Sequence, residues 1–157
     1  MKRNHPVKKL LAVCLLALLT APAAAHEIQF GDLEIVHPWA RATAGASKTG
    51  AVYMRIENNG DTDDQLVGMA TDSAERVEMH ASTEENGVAS MKKVDAIDLP
   101  AHSTTEFRPG KYHVMLIGVD PPLREYDTFM MTLVFAKAGR VEVEIYVEEA
   151  GASEPTH

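Results

Sequence analysis

The dipeptide Asn86-Gly87 places the tightest single limit on how this chain can fold. Asn-Gly tolerates the positive φ angles of a two-residue hairpin turn better than almost any other pair. It stands between two strand-like segments, 76–83 and 88–94. A turn there pairs Glu85 with Val88 and, counting back, sets His80 opposite Lys93. Met91 then lies diagonal to His80 on one face, roughly 7–8 Å away between backbones. The rest of the chain has the same character. Val141, Val143, Ile145 and Val147 alternate with Glu142, Glu144, Tyr146 and Glu148, as in a strand with one buried face. Tyr112, Val114 and Leu116 alternate with His113 and Met115 in the same way. Further strands are expected at 33–37, 50–57, 66–70, 104–107 and 128–136, bounded by turn clusters such as Asn58-Asn59-Gly60-Asp61, Arg108-Pro109-Gly110 and Asp120-Pro121-Pro122. No segment carries an amphipathic helical period. The expectation is an all-β chain folded as a single-domain β-sandwich.

The two ends read differently. Residues 1–25 form an export signal: Lys2, Arg3, Lys8 and Lys9 precede an apolar run, and Ala21-Pro22-Ala23-Ala24-Ala25 supplies a small-residue cleavage zone. The run is too short for an ordinary membrane-spanning helix. Cys14 lies inside it, but bulky Val13 and the short stretch before it argue against lipidation, so no stable membrane anchor is expected. The folded domain is placed at 26–149, followed by a polar, disordered tail at 150–157. Cleavage after Ala23 or Ala25 would leave His26 at or near the new amino terminus, where amine and imidazole together suit copper(II). The simpler expectation is that His26 opens a solvated tail.

Charge and cysteine content exclude several function classes. Four of the 15 Lys and Arg, and none of the 23 Asp and Glu, lie in 1–25. The remainder carries 11 basic against 23 acidic side chains, a net charge of −12 with histidines neutral. That argues against nucleic acid, which needs a basic footprint. Beyond Cys14 there is no cysteine. Disulfide scaffolds, zinc-cysteine sites and thiolate-bound electron-transfer copper are therefore excluded for the exported part. What remains is the spacing His80-x10-Met91-x21-His113-x-Met115. Imidazole and thioether together suit monovalent copper, a soft cation matched by a polarisable sulfur. The strand readings put His80 with Met91, and His113 with Met115, on shared faces, and the two pairs are expected to converge on one ion.

These four residues match, spacing for spacing, the motif of the periplasmic copper(I) chaperone family known as PCuAC, which the chain resembles. The resemblance extends through His37-Pro38-Trp39-Ala40-Arg41, Lys48-Thr49-Gly50-Ala51-Val52-Tyr53, Ala74-Glu75-Arg76-Val77-Glu78 and Arg108-Pro109-Gly110-Lys111-Tyr112-His113, covering about 33–147. It implies a cupredoxin-like Greek-key sandwich in which Tyr112, Val114 and Leu116 fill the core and His113 and Met115 face outward to a shallow site. It further implies a periplasmic, monomeric carrier that passes copper(I) towards the binuclear copper centre of cytochrome c oxidase. The acceptor would be an oxidase subunit or a thiol-bearing assembly factor. One departure is Ser82, where many members have a methionine two residues after the first histidine. Met79 is adjacent but should point to the opposite face.

Other functions stay open at this stage. A copper redox enzyme and a general copper-buffering protein both use such ligands, though no acid–base set arranged for substrate chemistry is evident. An adhesion or structural sandwich would leave these residues merely on the surface. Among the other polar candidates, His37-Pro38-Trp39 reads as structural, with proline stiffening a turn and the lone tryptophan packing at one end of the sandwich. His102 reads as solvated. Glu84 and Glu85 are hard donors better suited to solvation, and Arg108 and Lys111 are placed to dock an acidic partner.

Overall fold

The computed structural model describes residues 26–156, so the export-signal reading of 1–25, Cys14 included, and His157 lie outside the described residues. Eleven strands and no helix make up that span: β1 (Glu27–Phe30), β2 (Leu33–Arg41), β3 (Thr49–Asn58), β4 (Asp64–Ala70), β5 (Ala74–Glu85), β6 (Val88–Val94), β7 (Ile97–Leu99), β8 (Ser103–Phe107), β9 (Tyr112–Val119), β10 (Thr128–Phe135) and β11 (Gly139–Glu148). They form one continuous sheet in the order β6-β5-β9-β8-β3-β2-β11-β10-β4-β7, with β1 on β2 and an added β9–β3 pairing. The β11–β2 and β8–β9 pairings are parallel. The sheet curls so that β4 meets β5 and β7 meets β8, which closes two layers over a shared core.

That core follows from the alternation in the sequence. Val114 and Leu116 of β9, Val143 and Ile145 of β11, and Ile35, Val52, Ile56 and Leu133 have no exposed surface. Tyr112 is only partly buried and packs against the edge of this cluster. Met79, the off-face neighbour of His80, is 6% exposed and belongs to the core. The Asn86-Gly87 turn has positive φ at both residues, 55° and 76°, and sets the expected register, with Glu85 opposite Val88 and His80 opposite Lys93.

Several local readings need correction. β1 and β7 were not expected. β1 is only four residues long and joins β2 through a two-residue turn at Gly31 and Asp32, with Phe30 opposite Leu33. β7 spans three residues, burying Ile97 and Leu99 around exposed Asp98. His37-Pro38 makes a bulge rather than a turn. Proline has no N–H for the ladder, the register with β3 shifts between Val36 and Trp39, and His37 takes φ of 46°. β2 therefore continues to Arg41. The segment 150–156 is packed, not disordered. Ala152 is buried against Trp39 and Tyr53, its carbonyl accepts from Arg41 Nε at 2.7 Å, and Thr156 donates to Glu148 through N and Oγ1. His26 begins the folded body: its ring lies 4.1 Å from that of Tyr146, and its carbonyl accepts from the His37 N–H.

Candidate metal centre

Three neighbouring strands bring the sequence-predicted donors to one face. β5 and β9 are antiparallel with His80 directly opposite His113 and Glu78 opposite Met115. β6 pairs on the far side of β5, with Lys93 opposite His80 and Met91 opposite Ser82. Directly opposed residues share a face, so Glu78, His80, Ser82, Met91, Lys93, His113 and Met115 all project to the same side. Ser82 sits directly across from Met91.

The two imidazole rings lie 5.5 Å apart between centroids, tilted by 56°. Met91, His113 and Met115 line one recess of about 370 Å³, walled on its other side by Arg41, Thr43 and Tyr53. His80 lies on β5, between the strands that carry Met91 and His113, with its ring against that of His113. The exposure of the four residues is uneven. Met91 is 64% exposed, Met115 is half-buried, and His113 is only 9% exposed. His113 thus lies on the outward face, as expected, but at the floor of the recess. The opposite wall is held in place from behind. Arg41 lies 5.5 Å over the Tyr53 ring, Thr43 N donates to the Leu123 carbonyl, and Tyr53 stacks on Trp39 at 4.8 Å.

Electrostatics bear on each imidazole differently. Burial, with His80 adding to it, holds His113 below the ordinary imidazole range, while a hydrogen bond to the Lys111 carbonyl works the other way. That contact runs from Nδ1 to the carbonyl oxygen at 3.3 Å. His80 Nε2 lies 3.0 Å from Glu78 Oε2, and His80 Nδ1 is buried with no hydrogen-bond partner. Glu78 is held below the usual carboxylate range first by the hydrogen bond from His80, with Lys93 and Arg76 adding to the effect. Their distances to Glu78 Oε1 are 3.5 and 3.0 Å.

The donor set fits a soft monovalent ion. Among the described residues no three His, Cys, Asp or Glu side chains are grouped to hold a metal. Only with the two thioethers does this face offer four donors, and buried acceptors without partners such as His80 Nδ1 are rare in folded proteins. The remaining candidates fall elsewhere. Trp39 is in the small cluster behind Tyr53 and does not line the recess. His102 is exposed and bonded to Asp61 at 2.9 Å. Arg108 and Lys111 are both tied to Glu106. Sequence reasoning missed Glu78 and Arg41. Glu78 was legible in principle, two residues before His80 and therefore on its face; Arg41 reaches the recess only through long-range pairing.

Fold and site together define a PCuAC-type domain, a cupredoxin-like Greek-key sandwich. The chain belongs to the family described as "Putative lipoprotein LpqE-like", whose model matches residues 33–147. It is similar to a solved structure described as "Copper-bound PCuAC domain from PmoF2", with 32% identity and a TM-score of 0.69, over 79% of this chain and 98% of that one. It is also similar to "CuI-DR1885 from Deinococcus Radiodurans", at 26% identity and a TM-score of 0.64, over 84% of this chain and 87% of that one. Among curated sequences, "Uncharacterized protein RP573" of Rickettsia prowazekii is 32% identical over 122 residues, 75% of this chain. The chain spans 63% of that relative's length. "Putative lipoprotein Lxx21020" of Leifsonia xyli is 28% identical over 138 residues, 87% of this chain and 82% of that one.

Proposed function

We propose that this chain is an exported copper(I) carrier that holds one ion through His80, Met91, His113 and Met115. The observation that carries the reading is the pairing of His80 opposite His113, with Met115 two residues along β9 and Met91 on the adjoining β6. The copper-bound PCuAC domain of PmoF2 and the copper(I) form of the Deinococcus protein support it. Two thioethers favour the reduced ion, and the exposed Met91 gives an acceptor a ligand to displace first. The carrier is a monomer cleaved from its leader at 1–25 and acts in the periplasm. It delivers copper to the binuclear centre of cytochrome c oxidase, through an oxidase subunit or a thiol-bearing assembly factor. Catalysis has less support, because the carboxylate beside His80, that of Glu78, is already engaged by His80, Arg76 and Lys93. The test is transfer from copper(I)-loaded protein to candidate apo-acceptors, with oxygen consumption followed in parallel. Transfer without turnover is expected. Sustained oxygen consumption, or copper retained against every thiol-bearing acceptor, would contradict the carrier reading.

A further inference from the structure

The two histidines are held by opposite ring nitrogens. A carboxylate accepts hydrogen bonds and does not donate, so in neutral His80 the nitrogen facing Glu78, Nε2, carries the hydrogen. The lone pair is then on Nδ1, which is buried and without a partner. At His113 the contact is made by Nδ1 to the Lys111 carbonyl, again an acceptor only, so its lone pair is on Nε2. Resting on the copper(I) reading above, we infer that the ion is bound through Nδ1 of His80 and Nε2 of His113, and that Glu78 is the positioning residue that fixes the first of these. Binding through Nε2 of His80 would require breaking the 3.0 Å contact to Glu78 and would leave that carboxylate to Arg76 and Lys93 alone.

The surroundings of Glu78 suit the role. Its side chain is only 16% exposed, and Oε1 is occupied by Arg76 at 3.0 Å and Lys93 at 3.5 Å. Those two cations pin one oxygen and leave Oε2 aimed at the imidazole. A carboxylate on the far nitrogen of a metal-bound histidine orients the ring and raises its basicity, and removing such a partner typically costs about 10–100-fold in metal affinity. Lys93 is directly opposite His80 on β6, so the hairpin that carries Met91 also helps to hold the ring of His80.

The experiment is a long-range proton–nitrogen correlation spectrum of the imidazoles in ¹⁵N-labelled protein, before and after loading with copper(I), above the imidazole titration range. The expected apo spectrum has His80 as the Nε2–H tautomer and His113 as the Nδ1–H tautomer. On loading, the nitrogen shifts should fall on His80 Nδ1 and His113 Nε2. Glu78→Ala should lose the His80 tautomer preference and weaken copper(I) binding about 10–100-fold, and Glu78→Gln, whose amide oxygen still accepts, should recover part of both. A metal-induced shift at His80 Nε2 in a parent protein that binds copper(I) would overturn this inference while leaving the carrier reading intact. A parent that binds no copper(I) would overturn both. Unchanged tautomer and affinity in a folded Glu78→Ala would also overturn it, and the parent spectra decide the matter if that variant does not fold.

Discussion

Met115 is half-buried, opposite Glu78 and beside Ala51 of β3, on the face away from the core residues Val114 and Leu116. Met115→Ala therefore separates site from fold. Copper(I) affinity should fall by at least about tenfold, equivalent to ~1.4 kcal/mol. Thermal stability should change by only about 1 kcal/mol, because little apolar area is lost from the interior. Competition titration and melting on the same preparation check both. His113 adds a pH dependence whose sign can be worked out. Its folded value lies below the ordinary imidazole value, so below ~6.5 the unfolded chain binds more protons than the folded one. Its contribution to stability is present above that pH, declines as pH falls, and is lost once pH passes the folded value. Urea unfolding of the apo protein across this window should show the decline, and His113→Gln should flatten it. Copper(I) affinity should fall in the same direction, since protons compete for the ligand nitrogen. An affinity flat to about pH 5 would mean that the thioethers alone hold the ion.

The hairpin β5–β6 is the element on which the site depends, and its tip projects from the body. β9 pairs with β5 only as far as Ala81 opposite Tyr112, so the turn and most of β6 project beyond it, with Val88 and Met91 largely exposed. Gly87 takes φ of 76° with open space around it, and an alanine there would cost about 1–2 kcal/mol in backbone strain alone. Gly87→Ala should accelerate hydrogen exchange along β6 and weaken copper(I) binding by misplacing Met91, while the main unfolding transition hardly moves. A large drop in that transition would show that the hairpin is integral to the core. This hairpin was also the part most legible from sequence, because an Asn-Gly turn fixes register through purely local geometry. So was the alternation of β9. What could not be read was which distant strand lies beside which. The His80–His113 pairing, the burial of His113 and the contribution of Arg41 all come from long-range pairing. β1 and β7 were too short to carry a periodic signal, and nothing in the sequence distinguishes Glu78 from an ordinary solvated charge.

At the scale of the whole molecule, the donors sit outside a closed sandwich whose core owes nothing to the metal. The C-terminal segment belongs to that sandwich. Ala152 covers the Trp39–Tyr53 pair, its carbonyl holds Arg41 at the recess, and Thr156 donates to the carboxylate of buried Glu148. Deleting 150–157 should therefore lower stability by about 2 kcal/mol, the sum of a few hydrogen bonds at roughly 1 kcal/mol each, measured by urea unfolding against the full chain. An unchanged midpoint would show that the segment only rests on the surface. The central claim, one copper(I) held by two imidazoles and two thioethers, is tested most directly by X-ray absorption at the copper edge of the loaded protein. The account predicts a first shell containing both nitrogen and sulfur, with the sulfur contribution reduced in Met115→Ala and in Met91→Ala. A shell of nitrogen and oxygen alone, or a sulfur contribution unchanged in both variants, would contradict it.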